Sequence, residues 1–322
     1  MFGFCILANE VSVMKKFWIV AITCVSFFAC TGNRSEAPLN EGKHFLWKVS
    51  DENSSVWLLG SIHFADSSFY PLAPVIESAF ANAEELAVEL DVTNDSVSNE
   101  VAKESVDQGM LPSGVRLQDI LPSETWHALD SICSDWKISC ENFQMFKPWL
   151  VAMSLSTVAI QRAGINPSLG VDVVLLDRAA TDGKAIVGLE SAEEQVGAIA
   201  DTSDSDSAGI YYLKTTLREI SELDSMVSQI VRAWKSGDDV LLRKALNEGE
   251  EDDDISESEK EIKDKMEEKV YLNRNEKMAK SIAEFLYEDR NVFVVVGVAH
   301  LALEKENVID KLRKLGFKVE RF

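Results

Sequence analysis

The chain of 322 residues holds only four histidines, five cysteines and seven prolines, and its 32 lysines and arginines face 54 aspartates and glutamates. The net charge of −22 argues against a nucleic-acid partner, because gripping phosphates needs a basic surplus that is missing here. Several short catalytic signatures are also missing. There is no Gly-x-Ser-x-Gly elbow to present a serine nucleophile. No His-Glu-x-x-His marks a zinc peptidase helix, and no glycine-rich phosphate loop is present. No repeat of solenoid or propeller length occurs. What remains is 46% hydrophobic and 27% charged, which suits a globular chain able to bury a sizeable core.

The first 30 residues read as a targeting segment rather than part of the fold. Met14-Lys15-Lys16 opens a basic region with Met14 as the expected start, and the apolar run that follows is too short for a comfortable membrane span. It ends in Ser26-Phe27-Phe28-Ala29-Cys30-Thr31, which resembles a bacterial lipoprotein signal with Cys30 as the lipidated residue. Phe27 departs from that pattern, so ordinary signal cleavage nearby stands as the alternative, and both export the protein to the periplasm or the outer membrane. Export makes cysteines readable, because oxidised pairs persist outside the cytosol. Cys133 and Cys140, seven positions apart, are expected to form a local disulfide.

After a polar linker, residues 31–43, the pattern is one α/β domain over 44–322. Residues 45–49 and 56–59 read as a hairpin, with further strands at 85–90, 185–189, 291–296 and 317–322. Helices are expected at 74–83, across a helical subregion at 97–163, at 172–180, between 192 and 239, at 272–287 and at 308–315. Strands interleaved with helices imply a mixed central sheet flanked by helices. An acidic insert, 248–269, reads as a solvated loop or helix; it lacks the Asp-x-Asp-x-Asp-Gly order of a calcium loop.

Two of the four histidines share one setting: an apolar strand, a glycine, two residues, then histidine, at Gly60-Ser61-Ile62-His63 and Gly297-Val298-Ala299-His300. Ligands in α/β sheets gather beyond the carboxyl ends of strands. Four strand ends carry a residue able to bind metal or move protons: His63, Glu89, Glu190 and His300. A glycine before each histidine permits a close approach that a side chain would block. Two neutral imidazoles and a carboxylate form the ligand set of a divalent metal with an open water position. His44 and His127 read as structural or exposed.

These residues, with Val88-Glu89-Leu90-Asp91, Lys147-Pro148-Trp149-Leu150, Gly170-Val171-Asp172 through Asp177-Arg178, Gly188-Leu189-Glu190-Ser191 and Arg274-Asn275, resemble the ordered landmarks of the TraB/GumN family. That family is related to the Tiki metalloproteases and, more distantly, to erythromycin esterase-like and ChaN-like proteins, whose fold the resemblance implies here. It also implies an exported metal-dependent hydrolase, a peptidase using manganese- or cobalt-like ions or zinc on a peptide or small-molecule substrate. His63, Glu89 and His300 would be the catalytic and metal residues, with Glu89 either ligand or general base. Asp172, Arg178, Glu190 and Arg274 would orient substrate or support the site, and the two arginines could equally be buried partners of its carboxylates. Asn273 and Ala302 depart from the family pattern. The rival reading, from the ChaN-like resemblance, is a non-catalytic envelope lipoprotein that binds haem or another ligand in the same pocket.

Overall fold

Strand-forming runs of Val, Ile, Leu and Phe explain where the sheet forms. The computed structural model describes residues 43–200, 206–220, 222–246, 256–303 and 306–322. The expected leader with Cys30, residues 31–42 of the linker and residues 248–255 of the acidic insert lie outside them. Six strands make one sheet: β1 (Leu46–Ser50), β2 (Ser55–Ser61), β3 (Glu85–Val88), β4 (Ala185–Gly188), β5 (Val292–Gly297) and β6 (Lys318–Arg321), in the order β4-β3-β5-β2-β1-β6. The neighbours β4, β3, β5 and β2 run parallel, while β1 is antiparallel to β2 and to β6. The sheet is therefore mixed, as its sequence pattern predicts. β5, buried at all six positions, lies between β2 and β3, and this brings the two Gly-x-x-His exits side by side.

Helices cover the sheet. Their chain order is α1 (Pro74–Asn82), α2 (Asp95–Gly109), α3 (Ser123–Trp136), α4 (Pro148–Arg162), α5 (Val171–Asp182), α6 (Ala192–Ala200), α7 (Asp206–Glu219), α8 (Leu223–Ser236), α9 (Asp239–Ala245), α10 (Glu257–Glu267), α11 (Asn273–Tyr287), α12 (Val298–Ala302) and α13 (Val308–Lys314). Proline at the first turn opens α1 and α4, where its missing N–H costs nothing. A capping box between Ser256 and Glu259 starts α10, so the second part of the acidic insert is a regular helix. One π-helical turn, Glu268–Leu272, joins it to α11.

Two apolar cores result. The larger packs the sheet against α1, α5, α8, α11 and α13. The smaller is helical and gathers residues of α2, α3, α4, α6 and α7 around Trp149. Trp149 is fully buried there and Trp126 packs against the same core, while Trp136 touches both cores, so these rings serve packing. Cys133 at the end of α3 is bonded to Cys140 in the following turn, as the sequence leads one to expect. Leu90, two residues past the end of β3, belongs to the helical core. The carboxyl ends of the central strands therefore lie at the junction of the two cores.

Candidate metal and catalytic site

Three strand exits converge at that junction. Ser61 ends β2 and pairs with Gly297, the last residue of β5, while β3 stops at Val88 and delivers Glu89 next. A Cβ on Gly297 would sit 3.2 Å from Glu89 Oε1, 3.2 Å from His63 Nε2 and 3.7 Å from His300 Cδ2. The glycine thus leaves the space around which both histidines and the glutamate gather. Gly60 serves packing instead, since its Cβ would meet Val298 at 2.9 Å. His44 and His127 lie elsewhere, the first on the carbonyl of Phe322 through its backbone and the second on Ser123 in α3.

Each imidazole is held from behind. His63 Nδ1 is 2.7 Å from Asp172 Oδ2, at the first turn of α5. That turn is docked by the Val171 N–H donating to the Ile62 carbonyl at 3.0 Å. It comes so close that a Cβ on Gly170 would lie 2.8 Å from the His63 carbonyl. A carboxylate accepts only, so Nδ1 of neutral His63 carries the proton and Nε2 the lone pair. This Nε2 is buried without a partner. On the other side, His300 Nδ1 is 2.6 Å from Asn275 Oδ1 on α11, and its Nε2 stands 4.0 Å from Glu89 Oε1. The ring of Tyr271, from the π-helical turn, packs against that of His300 with centroids 5.5 Å apart.

Glu89 is fully engaged. Its Oε1 accepts the Gly297 N–H at 2.5 Å, and its Oε2 accepts from Arg274 Nη2 at 2.7 Å and more distantly from Gln195 Nε2 at 3.4 Å. Arg274 also grips Glu190 with two parallel bonds, Nε to Oε1 at 2.8 Å and Nη2 to Oε2 at 2.7 Å. All three side chains are buried. Such a network is costly to desolvate and depends on every charge finding its partner.

The charges divide the titrating groups. Burial opposes ionisation of Glu89, yet the surrounding imidazoles of His300 and His63, the Arg274 guanidinium and the Gly297 N–H hold its carboxyl well below the usual range. Burial pushes Glu190 upward against the pull of Arg274. Burial also disfavours charged His63, but the Asp172 carboxylate outweighs it and raises that imidazole. His300 has only an amide behind it. Burial and the Arg274 charge lower it to about 3, so it stays neutral at ordinary pH.

Of the residues singled out in the sequence, His63, Glu89, His300, Asp172, Glu190 and Arg274 are brought together. Arg178 is not: it turns outward from α5 onto Glu77, 2.7 Å away, and lies over the Phe80 ring. Asp172 and Arg178 are six residues apart on one helix, about 240° round its axis, so they face different ways. Arg274 is the buried carboxylate partner that its neighbourhood suggested. Asn275 and Gln195 were assigned no role by sequence reasoning. Asn275 adjoins Arg274 in a motif, and that was its only signal; Gln195 carried none.

Three further buried atoms on residues next to these groups lack a partner: Ser61 Oγ, Asp172 Oδ1 and Gln195 Oε1. Buried polar atoms without partners are rare and call for an occupant. Among the described residues, however, no group of three His, Cys, Asp or Glu side chains is drawn tightly enough to form a ready metal cage.

The sequence pattern that defines the TraB/PrgY/gumN family matches residues 45–321. Among curated proteins, YbaP of Escherichia coli K12, itself uncharacterized, is 26% identical over 197 residues, spanning 60% of this chain and 70% of the relative. YbaP of Shigella flexneri matches to the same extent. The metalloprotease TIKI1 of Danio rerio is 23% identical over 340 residues, covering 90% of this chain and 65% of that protein. No solved structure matches.

Proposed function

From the premise that the chain belongs to the TraB/PrgY/gumN family, we propose that it is a metal-dependent hydrolase, a peptidase in its chemistry, with His63, His300 and Glu89 at its centre. The observation that carries this is the matched orientation of the two imidazoles. Each has its Nδ1 tied to an oxygen, Asp172 for one and Asn275 for the other, and each presents its Nε2 side toward the space that Gly297 leaves open. An oxygen behind the imidazole is the usual arrangement for a ligating histidine, since it fixes the tautomer and the ring. The unpartnered Nε2 of His63 and the donor set of two nitrogens and a carboxylate oxygen suit a divalent ion of the manganese, cobalt or zinc kind. The likeness to a protein named a metalloprotease adds to this.

A divalent ion held by these groups would polarise a carbonyl and acidify a water, the chemistry needed to hydrolyse an amide or ester. The chain's own residues set the stage for it. Arg274 keeps Glu89 ionised while burying it, and Gly297 N–H fixes the orientation of Oε1 toward the open space. Oε1 then stands as ligand or as acceptor for the proton of the attacking water. His63, backed by a carboxylate, and His300, backed by an amide, each offer a lone pair at Nε2. Glu190 holds Arg274 in place rather than meeting substrate. Ser61 Oγ and Gln195 Oε1 remain to contact what enters.

The proposal includes export, with Cys30 as lipid attachment site or ordinary cleavage nearby; the Cys133–Cys140 bond supports it, being of the kind that persists in oxidising compartments. Peptides or small molecules are the expected substrates, and nucleic acids are not. Purified protein supplied with Mn²⁺ is expected to cleave members of a diverse peptide library, and the His63→Ala and His300→Ala variants are expected not to. Cleavage undiminished in those variants, or none in the parent, refutes the reading.

A further inference from the structure

His300 stands in a competition that the distances make visible. Its Nε2 lies 4.0 Å from Glu89 Oε1, so a small shift would let an Nε2–H tautomer donate to that carboxylate. The lone pair needed for ligation would then be lost. What opposes this sits behind the ring. Nδ1 is 2.6 Å from Asn275 Oδ1, and the direction of that amide is fixed by its other end. Asn275 Nδ2 is 3.3 Å from the carbonyl oxygen of Glu306. A carbonyl only accepts, so the NH₂ end must face Glu306 and the oxygen must face His300. That oxygen cannot donate, so Nδ1 bears the proton. Glu306 presents its carbonyl from a left-handed backbone, φ 43°, a conformation that costs energy in any residue other than glycine.

We infer that Asn275 is a positioning residue that locks His300 in the Nδ1–H tautomer and so keeps Glu89 from capturing its Nε2. This goes beyond the metal-site reading but rests on it for its consequence, since the lock matters because His300 must offer a lone pair. His63 needs no amide for the purpose, because Asp172 can only accept.

The test uses metal-free, ¹⁵N-histidine-labelled full chain and two near-isosteric variants. Asn275→Asp keeps an acceptor behind the ring; Asn275→Leu removes it. Long-range ¹H–¹⁵N spectra are expected to show His300 as Nδ1–H in the parent and in Asn275→Asp, and to show a shift to Nε2–H in Asn275→Leu. Calorimetric titration with Mn²⁺ is expected to weaken about 10- to 100-fold in Asn275→Leu and to recover in Asn275→Asp. If Asn275→Leu does not fold, Asn275→Ala removes the same acceptor with less bulk and is read the same way. Retention of Nδ1–H without the acceptor overturns the lock. Equal weakening in the Asp and Leu variants also overturns it, by reducing Asn275 to a packing role. Should the parent bind no Mn²⁺, the metal reading fails while the spectra still decide the tautomer.

Discussion

Arg274 Nη2 lies 2.7 Å from Glu89 Oε2, across 185 residues of sequence, and both side chains are buried. The guanidinium also pairs with Glu190 at 2.7 Å, so it holds two buried carboxylates at once. Removing it leaves two charges in a poorly solvated place. Arg274→Met is expected to lower stability by about 3–5 kcal/mol, as when a buried pair loses one partner. Urea denaturation checks this. Removing one of those two charges with Glu190→Gln in the same chain should recover part of the loss; a double variant as unstable as the sum of the singles would deny the coupling.

The two strand-end glycines should behave differently. Gly60→Ala forces a methyl to within 2.9 Å of Val298 in a packed region, and should cost about 1–3 kcal/mol of stability. Gly297→Ala meets site atoms at 3.2 Å instead. It should leave the melting temperature nearly unchanged while reducing peptide cleavage about a hundredfold, since small misplacements of reacting groups are that costly. Melting curves and steady-state rates on both variants separate the cases. The reverse pattern would contradict the site's geometry.

Away from the site, Arg290 donates to Glu85 at the start of β3 and lies over the Phe285 ring. Hydrogen bonds from Arg290 hold the Glu85 carboxyl below its ordinary 4.5. Ionised Glu85 therefore favours the folded chain above pH 4.5, and that contribution fades as pH falls through the lower folded value. Both groups are partly exposed, so the effect should be at most about 1 kcal/mol. The denaturation midpoints of the parent and Glu85→Gln should differ at pH 7 and converge on acidification. A gap that persists to pH 2 would show that the pair's charge is not responsible.

The Cys133–Cys140 bond closes a short loop between the end of α3 and the next turn. Replacing both cysteines by serine should cost about 2–3 kcal/mol, mostly through a freer unfolded chain. Thiol titration of protein exported with its own leader should find neither cysteine reactive. Two free thiols in the exported protein would count against an oxidising destination.

Most strands and both Gly-x-x-His exits were legible in the sequence, because β-branched runs, turn residues and strand-end polar groups are local signals. The sheet order β4-β3-β5-β2 was not legible, although it is what brings His63 beside His300. Arg178 shows the limit of motif order: it follows Asp172 closely in sequence, yet helix geometry turns it to Glu77. Asn275 and Gln195 look like ordinary polar residues on helices; their roles come from partners 25 and 106 positions away. The acidic insert reads in sequence as a solvated loop or helix; its helical part and the π-helical turn after it lead into α11, and so help deliver Tyr271, Arg274 and Asn275 to the junction.

The most direct measurement is equilibrium dialysis of purified, chelator-stripped protein against Mn²⁺, followed by elemental analysis, on the parent and on His63→Ala, Glu89→Gln and His300→Ala. The parent should retain an equimolar amount of manganese, and each folded variant should retain far less. A parent that retains none under ions of the manganese, cobalt and zinc kinds alike, or histidine variants that retain as much as the parent, would contradict a shared ion between His63 and His300.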